Sequence, residues 1–388
     1  MEGAGVFAAG GVGDGVGAEF GDDQLGVFGA GVAVQGGAGP ATRGAEFLRV
    51  SGESASVAEG EAPGASRLRL VLSAAHSLKA ILGQQKASPD VSALRAEVDH
   101  AWSLTHQANY ADLAELLEGL VPRLESAART VPDADRPELF RLLAVMYHTC
   151  SGALANLGEP EAAWIAVDRA VVAAERADDP LLMAAGEFRL SIVFLSARHF
   201  EQAAQASGSA ADALRPLAEA GQVEAVALRG ALTLQRAVAA ARLNLADEAY
   251  GFLRDARAMA EEVGDGRNDY NTEFGLTNVG LHEVSVAVDL GDAGHALRAA
   301  RAIDASGLSP ERQTRFQIDM ARAYAQRRQV VDAVAALLKA REQSPEMVRS
   351  LPMVKQLVAD LLTMSQPPSE ELRALAGELG VHEVRSGA

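Results

Sequence analysis

The sequence predicts an all-α protein preceded by a glycine-rich segment, and three observations support this prediction. From Ser66 onward, alanine- and leucine-rich stretches recur with helical period and are separated by short turns such as NLGEP, LNLAD and LGDAG. No strand-like alternation bounded by hairpin turns is found in the sequence. Small residues recur at equivalent positions of successive helices, which allows neighbouring helices to approach closely.

Residues 1–65 are predicted to be a low-complexity, disordered segment. They contain 18 of the 37 glycines and lack a sustained apolar period. Gly13, Gly15 and Ala18 match the spacing of a dinucleotide-binding loop, but such a loop lies between a buried strand and a helix. Neither flanks this stretch, so the match reflects composition, and a dinucleotide-dependent enzyme is the least supported alternative.

Six helix pairs are predicted over residues 91–343. Each pair is anchored on a residue shortly after its internal turn, namely Leu113, Ala163, Ala203, Ala249, Ala296 and Ala333. The positions seven after the anchors are mostly small and are Leu120, Ala170, Ala210, Ala256, Ile303 and Ala340. The positions twelve before the anchors are Ala101, Ser151, Ser191, Ala237, Val284 and Ala321.

These three columns resemble the small-residue positions of tetratricopeptide repeats, most clearly in LGEPEAAWIAVDRA at residues 157–170. The resemblance implies a superhelix of stacked helix pairs. The spacing between anchors, 37 to 50 residues, exceeds the roughly 34 of that family, and its early aromatic residue is found only as Tyr147. Longer helices are therefore expected. Residues 66–90 are predicted to be a connecting helix and linker, and residues 344–388 to be one or two capping helices.

A second resemblance concerns the stretches SRLRLVLSAAHSLKAIL at 66–82 and LRAEVDHAWSLTHQANYADLAELLEGLVPRLESA at 94–127. They resemble the region that joins the DNA-binding and repeat parts of actinobacterial helix-turn-helix transcriptional regulators. In that family a phage-repressor-type domain precedes the join, whereas residues 1–65 precede it here. The resemblance implies a transcriptional regulator that contacts DNA only through a missing domain or through a partner. It also implies that ligand binding rearranges the repeats or the two chains of a homodimer. An out-of-frame translation of the DNA is one explanation for residues 1–65.

Charge and motif content restrict the function classes. The formal charge of -17 argues against a nucleic-acid surface, because a polyanion requires clustered positive charge. The single cysteine, Cys150, excludes an internal disulfide and is expected to be a small core residue.

No secretory signal or membrane-spanning apolar run is found, which favours a cytoplasmic protein. Without a P-loop, G-x-S-x-G or paired-histidine motif, the sequence predicts no enzyme, cofactor or metal site.

The ligand site is predicted on the first helix of each pair, since these helices line the concave surface of such repeats. Polar residues recur 14 and 7 positions before the anchors, on one helical face, with further residues of this face 11 positions before. The candidate ligand-binding residues are Asp99, Trp102, His106, Thr149, Asn156, Arg189, Gln235, Arg242, His282, Asp289, Asp319, Arg322 and Gln326. The alternative is an ordinary solvated face of amphipathic helices.

The function that follows is a non-enzymatic module of a transcriptional regulator that binds a peptide or protein on its concave face. A protein–protein interaction scaffold unrelated to transcription is the alternative.

Overall fold

A computed structural model of the chain describes residues 63–73, 90–132 and 134–382. All of these residues belong to one compact unit, Gly52–Ala388. The predicted disordered segment lies outside the described residues except at 63–65, which are helical, and most of the predicted linker is outside them as well.

The described residues form α-helices and one 3-10 turn, with no strand among them, so the all-α prediction is confirmed. The first nine helices are α1 Pro63–Val71, α2 Val91–His106, α3 Tyr110–Thr130, α4 Arg136–Asn156, α5 Pro160–Arg176, α6 Pro180–Ser196, α7 Phe200–Ala213, α8 Arg215–Glu219 and α9 Val223–Arg242. The remaining helices are α10 Ala246–Val263, α11 Leu276–Asp289, α12 Ala293–Ala300, α13 Pro310–Gln326, α14 Val330–Gln343, α15 Pro345–Ser350, α16 Pro352–Met364 and α17 Glu370–Glu378.

Six pairs of consecutive helices pack against each other and coincide with the six predicted pairs. The first helices of the pairs are α2, α4, α6, α9, α11 and α13, and the second helices are α3, α5, α7, α10, α12 and α14. Each first helix also contacts the first helix of the next pair. The polar columns predicted from the sequence therefore lie on helices that are neighbours in space.

The turn inside each pair has the same backbone conformation in all six pairs. The residue five positions before the anchor has a positive φ, and these residues are Ala108, Gly158, Arg198, Asn244, Gly291 and Arg328. The next residue donates its main-chain N–H to the carbonyl five positions earlier, at 2.8–2.9 Å. This bond closes a Schellman motif, which satisfies carbonyls at the end of the first helix. The turns are thus equivalent although only two of the six use glycine.

The recurring small residues form the contacts between helices. All six anchors have 0% exposure, and the residues twelve positions before them are at most 1% exposed. A small side chain at such a position allows close packing of the two helices, and each buried methyl or methylene group adds about 0.8 kcal/mol of hydrophobic stabilisation. The fifth pair departs from this arrangement because α12 ends at Ala300, so that Ile303 lies beyond the helix.

The last pair and the C-terminal helices pack against the first pairs. The first helix of the sixth pair, α13, contacts the first helix of the first pair, α2. In α15, the Glu346 carboxylate accepts a hydrogen bond of 3.2 Å from the N–H of Tyr110 in α3.

The C-terminal segment has three helices rather than the predicted one or two, and Pro367 and Pro368 lie between α16 and α17.

Helix α1 packs on α3 of the first pair. Its apolar residues Ala65, Leu68 and Val71 are buried there, and the Arg67 guanidinium forms an ion pair with Glu118 at 2.7 Å. The start of the predicted connecting helix is therefore an integral part of the helical unit.

Candidate functional site

Polar side chains from several first helices meet in the interior of the helical unit. The Arg189 guanidinium of α6 lies over the Trp102 ring of α2, and its Cζ atom is 4.9 Å from the ring centroid. The centroids of the Trp102 and His106 rings are 5.4 Å apart. Both Trp102 and Arg189 are more than nine-tenths buried. We refer to Trp102, His106 and Arg189, together with Glu273 and Arg312, as the central polar cluster.

A loop of residues 264–275, which joins α10 to α11, supplies the hydrogen-bond acceptors for this cluster. Nη2 of Arg189 donates to the main-chain carbonyls of Tyr270 at 3.3 Å and Asn271 at 2.7 Å. The carbonyl of Thr272 accepts from Nη2 of Arg312, also at 3.3 Å. We call residues 264–275 the insert loop. Side chains of two first helices thus hold consecutive main-chain carbonyls of one short 3-10 turn and of the residue that follows it.

The Arg189 guanidinium carries its charge in a poorly solvated position. Burial, with a further contribution from the charge of Arg312, lowers the pKa of Arg189 to about 10. The charges of Glu311 and Glu273 act in the opposite direction. Arg189 forms no ion pair with any carboxylate in the described part of the chain, so its charge is compensated by carbonyl dipoles, by the face of the Trp102 ring and by more distant carboxylates.

Four buried nitrogen atoms of the cluster have no hydrogen-bond partner among the described residues: Nε1 of Trp102, Nε2 of His106, Nε of Arg189 and Nε of Arg312. Burial is the main cause that lowers the pKa of His106, with Arg189 and Arg312 adding to it and Glu273 and Glu311 opposing it. A buried polar group without a hydrogen bond costs about 1–3 kcal/mol. The cluster therefore retains capacity to bind an additional polar group.

Asn156 connects the first, second and sixth pairs. Its Nδ2 donates to the Tyr110 hydroxyl at 2.8 Å and to Oε1 of Glu311 at 3.0 Å, and its Oδ1 accepts from Arg315. Burial would raise the pKa of Glu311, but the charges of Arg312 and Arg315 outweigh it and hold the pKa below its usual value. Glu311 is therefore an ionised carboxylate inside the unit at neutral pH.

Five of the predicted site residues form one ion-pair and hydrogen-bond network on α9, α11 and α13. Asp289 lies between Arg242, at 3.0 Å, and Arg322, which also pairs with Asp319 at 2.8 Å. Nε2 of Gln326 donates to the main-chain carbonyl of Val288 in the same region, at 2.9 Å. Burial raises the pKa of Asp289, but the charges of Arg322 and Arg242 more than offset this and leave it lowered.

The other predicted site residues do not join these groups. The hydroxyl of Thr149 donates to the carbonyl of Met146 in its own helix, and Gln235 is buried in α9. Nδ1 of His282 bonds the carbonyl of Asn278 at 2.9 Å, and burial lowers its pKa to about 4. Asp99 is exposed near the middle of α2.

The sequence reasoning missed several residues of the interior, above all the insert loop and the first turns of α13 with Glu311, Arg312 and Arg315. Two signals were present. Residues 264–275 are a long connection in a chain of otherwise short turns, and long connections are often functional. The stretch PERQTR at the start of α13 carries one acidic and two basic residues. This helix contacts two other first helices, α11 and α2.

The remaining sequence predictions concern reactivity and membranes. Cys150 is buried, as predicted, and burial raises its thiol pKa to about 12, which keeps the thiol protonated at neutral pH. Of the helices that the structure describes, none combines the length and apolar character needed to cross a membrane.

Comparison with protein-family models and with curated proteins finds no match to this chain.

Proposed function

We propose that this chain is a non-enzymatic binding module with tetratricopeptide-like helix pairs, which binds an extended peptide or protein segment on the inner face of its first helices. The observation that carries the proposal is the main-chain contact of Arg189 and Arg312 with the insert loop. These side chains bond three successive carbonyls, of Tyr270, Asn271 and Thr272. Carbonyls are common to every peptide, so the same donors suit a ligand segment.

A peptide selection tests this function. The full chain is used to select binders from a displayed library of random peptides, and the affinities of synthetic versions are then measured by calorimetry. We expect Arg189→Gln to weaken binding by at least about tenfold, since it removes a charged donor to carbonyls. Arg198→Gln, at an exposed arginine of the neighbouring turn, is the matched control and should leave the affinity unchanged. Selected peptides that bind equally well to both variants would contradict the proposed site.

We assign this module to a transcriptional regulator of the cytoplasm, and this assignment rests on the resemblance of residues 66–82 and 94–127 to actinobacterial helix-turn-helix regulators. The DNA contact would come from a partner or from a domain outside this chain, because the chain is strongly acidic. Peptide binding would then rearrange the helix pairs or a homodimer.

The regulator and the interaction scaffold make different predictions about the coding DNA. Translation of the region upstream of codon 66 in all three frames should show a repressor-type helix-turn-helix domain if the chain derives from a regulator. If no frame encodes such a domain, the scaffold is favoured, while the peptide-binding proposal is unaffected.

A further inference from the structure

The insert loop binds the helices through specific side chains as well as through its main chain. Oε1 of Glu273 accepts from the N–H of Ser309 and Oε2 accepts from the Ser309 hydroxyl, both at 2.8 Å. Ser309 is the N-cap of α13, where the helix dipole favours a negative charge. Nε of Arg312 lies 3.5 Å from the same carboxylate. The Glu273 carboxylate is therefore recognised by two hydrogen bonds and by a cation.

The residue that follows, Phe274, fills a space beside a glycine of α9. Phe274 is 1% exposed, and a Cβ at Gly230 would lie only 2.1 Å from its ring. Such a distance excludes any side chain at Gly230 while the ring is in place. Gly230 therefore forms part of a site for an aromatic side chain, directly next to the site for the carboxylate.

The backbone of the insert loop adopts conformations that L-residues rarely use. Tyr270, Asn271 and Glu273 have φ values of 50°, 57° and 50°, while Gly264 and Gly266 near its start also have positive φ. Non-glycine residues are strained at positive φ. This strain offsets part of the free energy that the loop gains from its contacts with the helices. A segment that makes the same contacts with an unstrained backbone would bind more tightly than the loop does.

The loop also leaves part of the central polar cluster unused. Nε1 of Trp102 and Nε of Arg189 are donors with no partner among the described residues. Arg189 has no ion pair there, so an additional carboxylate or carbonyl oxygen on a bound segment would meet two N–H donors and a positive charge. A ligand can therefore make bonds that the insert loop does not make.

We infer that the insert loop occupies the ligand site as an internal competitor, and that the ligand is an acidic peptide segment in which a glutamate is followed by an aromatic residue. The inference rests on the proposed function, which it makes more specific. Bound peptide displaces residues 268–274 from the first helices, with its glutamate at Ser309 and its aromatic ring beside Gly230. The insert loop connects the fourth and fifth helix pairs. Its displacement by a ligand would therefore change how these two pairs pack against each other.

The experiment uses the loop's own sequence as the probe. A fluorescently labelled peptide RNDYNTEFG, residues 267–275, is titrated by anisotropy into the full chain and into three variants. In the first variant residues 267–274 are replaced by an equally long Gly/Ser linker. The second is Glu273→Gln, and the third, Glu262→Gln, makes the same charge change at an exposed position at the end of α10.

We expect the loop-replaced variant to bind the probe at least about tenfold more tightly than the unmodified chain, because the tethered loop competes at a high effective concentration. Glu273→Gln should bind more tightly than the unmodified chain, and Glu262→Gln should bind equally. A probe with glutamine at the position of Glu273 should bind the loop-replaced variant at least about tenfold more weakly, since its contact with Arg312 is no longer charged.

The outcomes separate this inference from the proposed function. Equal probe affinity for the unmodified and loop-replaced chains overturns the competitor role but leaves peptide binding intact. If the probe binds neither chain while library-selected peptides bind in an Arg189-dependent manner, the inference is wrong and the proposed function stands. If neither probe nor library peptides bind, both are wrong. Should circular dichroism show that the loop-replaced variant is unfolded, unchanged probe affinity in Glu273→Gln overturns the inference.

Discussion

The Nη2 of Arg189 donates a hydrogen bond of 2.7 Å to the main-chain carbonyl of Asn271, which lies 82 residues further along the chain. The bond joins the first helix of the third pair to the connection between the fourth and fifth pairs. The donor is a buried, charged guanidinium, and the acceptor belongs to a loop whose backbone is strained. The order of the insert loop therefore depends on Arg189.

Replacement of Arg189 should loosen this loop without unfolding the helices. We expect Arg189→Gln to lower the free energy of unfolding by about 1–3 kcal/mol, since the carbonyls of Tyr270 and Asn271 lose a charged donor in a buried place. Hydrogen exchange should increase most within residues 264–275, and in α3 and α5 by no more than the change in global stability accounts for. Exchange that rises uniformly along the chain would contradict a local role, and Arg198→Gln serves as the exposed control.

The stability of the protein should fall in mild acid because of His148. Burial, with the nearby charge of Arg189, lowers the pKa of His148 to about 3, whereas the pKa of a histidine in an unfolded chain is about 6.5. The unfolded state therefore binds a proton below pH 6.5 that the folded state does not, and stability decreases as the pH falls towards 3. From pH 7 to pH 5 this one group should cost about 2 kcal/mol.

Urea unfolding of His148→Phe at the two pH values measures this contribution. The variant should remove about 2 kcal/mol of the pH dependence, because its side chain does not titrate. His100→Gln changes an exposed histidine of α2 and should retain the dependence of the unmodified chain. An identical pH dependence in His148→Phe would show that His148 does not cause it.

Two glycines within helices should respond in opposite directions to the same substitution. Gly119→Ala, at an exposed position of α3 where a Cβ meets nothing within 4 Å, should stabilise the protein by about 0.5–1 kcal/mol through helix propensity. Gly230→Ala should destabilise it by about 1–3 kcal/mol, because the new methyl group overlaps the ring of Phe274. Thermal unfolding of both variants tests the difference, and stabilisation by Gly230→Ala would show that Phe274 is not seated beside α9.

The positive φ of the within-pair turns gives a further prediction. Arg198 has a φ of 65° and is exposed, so Arg198→Gly should relieve backbone strain and raise the free energy of unfolding by about 0.5–1 kcal/mol. Gly291→Ala, at a φ of 80° with open space around it, should lower it by about 1 kcal/mol or more. Chemical denaturation of both variants measures the changes, and an unchanged stability in both would mean that these turns relax their backbone.

The helix pairs could be predicted from the sequence because their signal is local. The anchor residues lie a few positions after each turn, and five of the six are alanines, whose small side chain suits consecutive helices that cross closely. All six anchors are buried in the structure. The sequence marks the departure in the fifth pair, where α12 stops at Ala300, by Ile303 at a position that is alanine in four of the other five pairs.

The contents of the interior could not be predicted in the same way. The spacing of polar residues singles out Trp102 on α2 and Arg189 on α6, whose side chains meet in the structure, and it also singles out Arg242, Asp289 and Arg322, which pair with one another. It does not show what those side chains bind, since that depends on contacts between residues far apart in sequence. A polar face that contacts ligand and one that contacts another part of the same chain have the same sequence pattern.

The contact between α13 and α2 has a consequence for how the protein unfolds. A linear stack of helix pairs can fray from its two terminal pairs, and its cooperativity declines with the number of pairs. Here the terminal pairs stabilise each other, so neither can detach without loss of buried area in both. We therefore expect calorimetric and van't Hoff enthalpies to agree for the unfolding of the helical unit in the full chain, as in a single two-state domain.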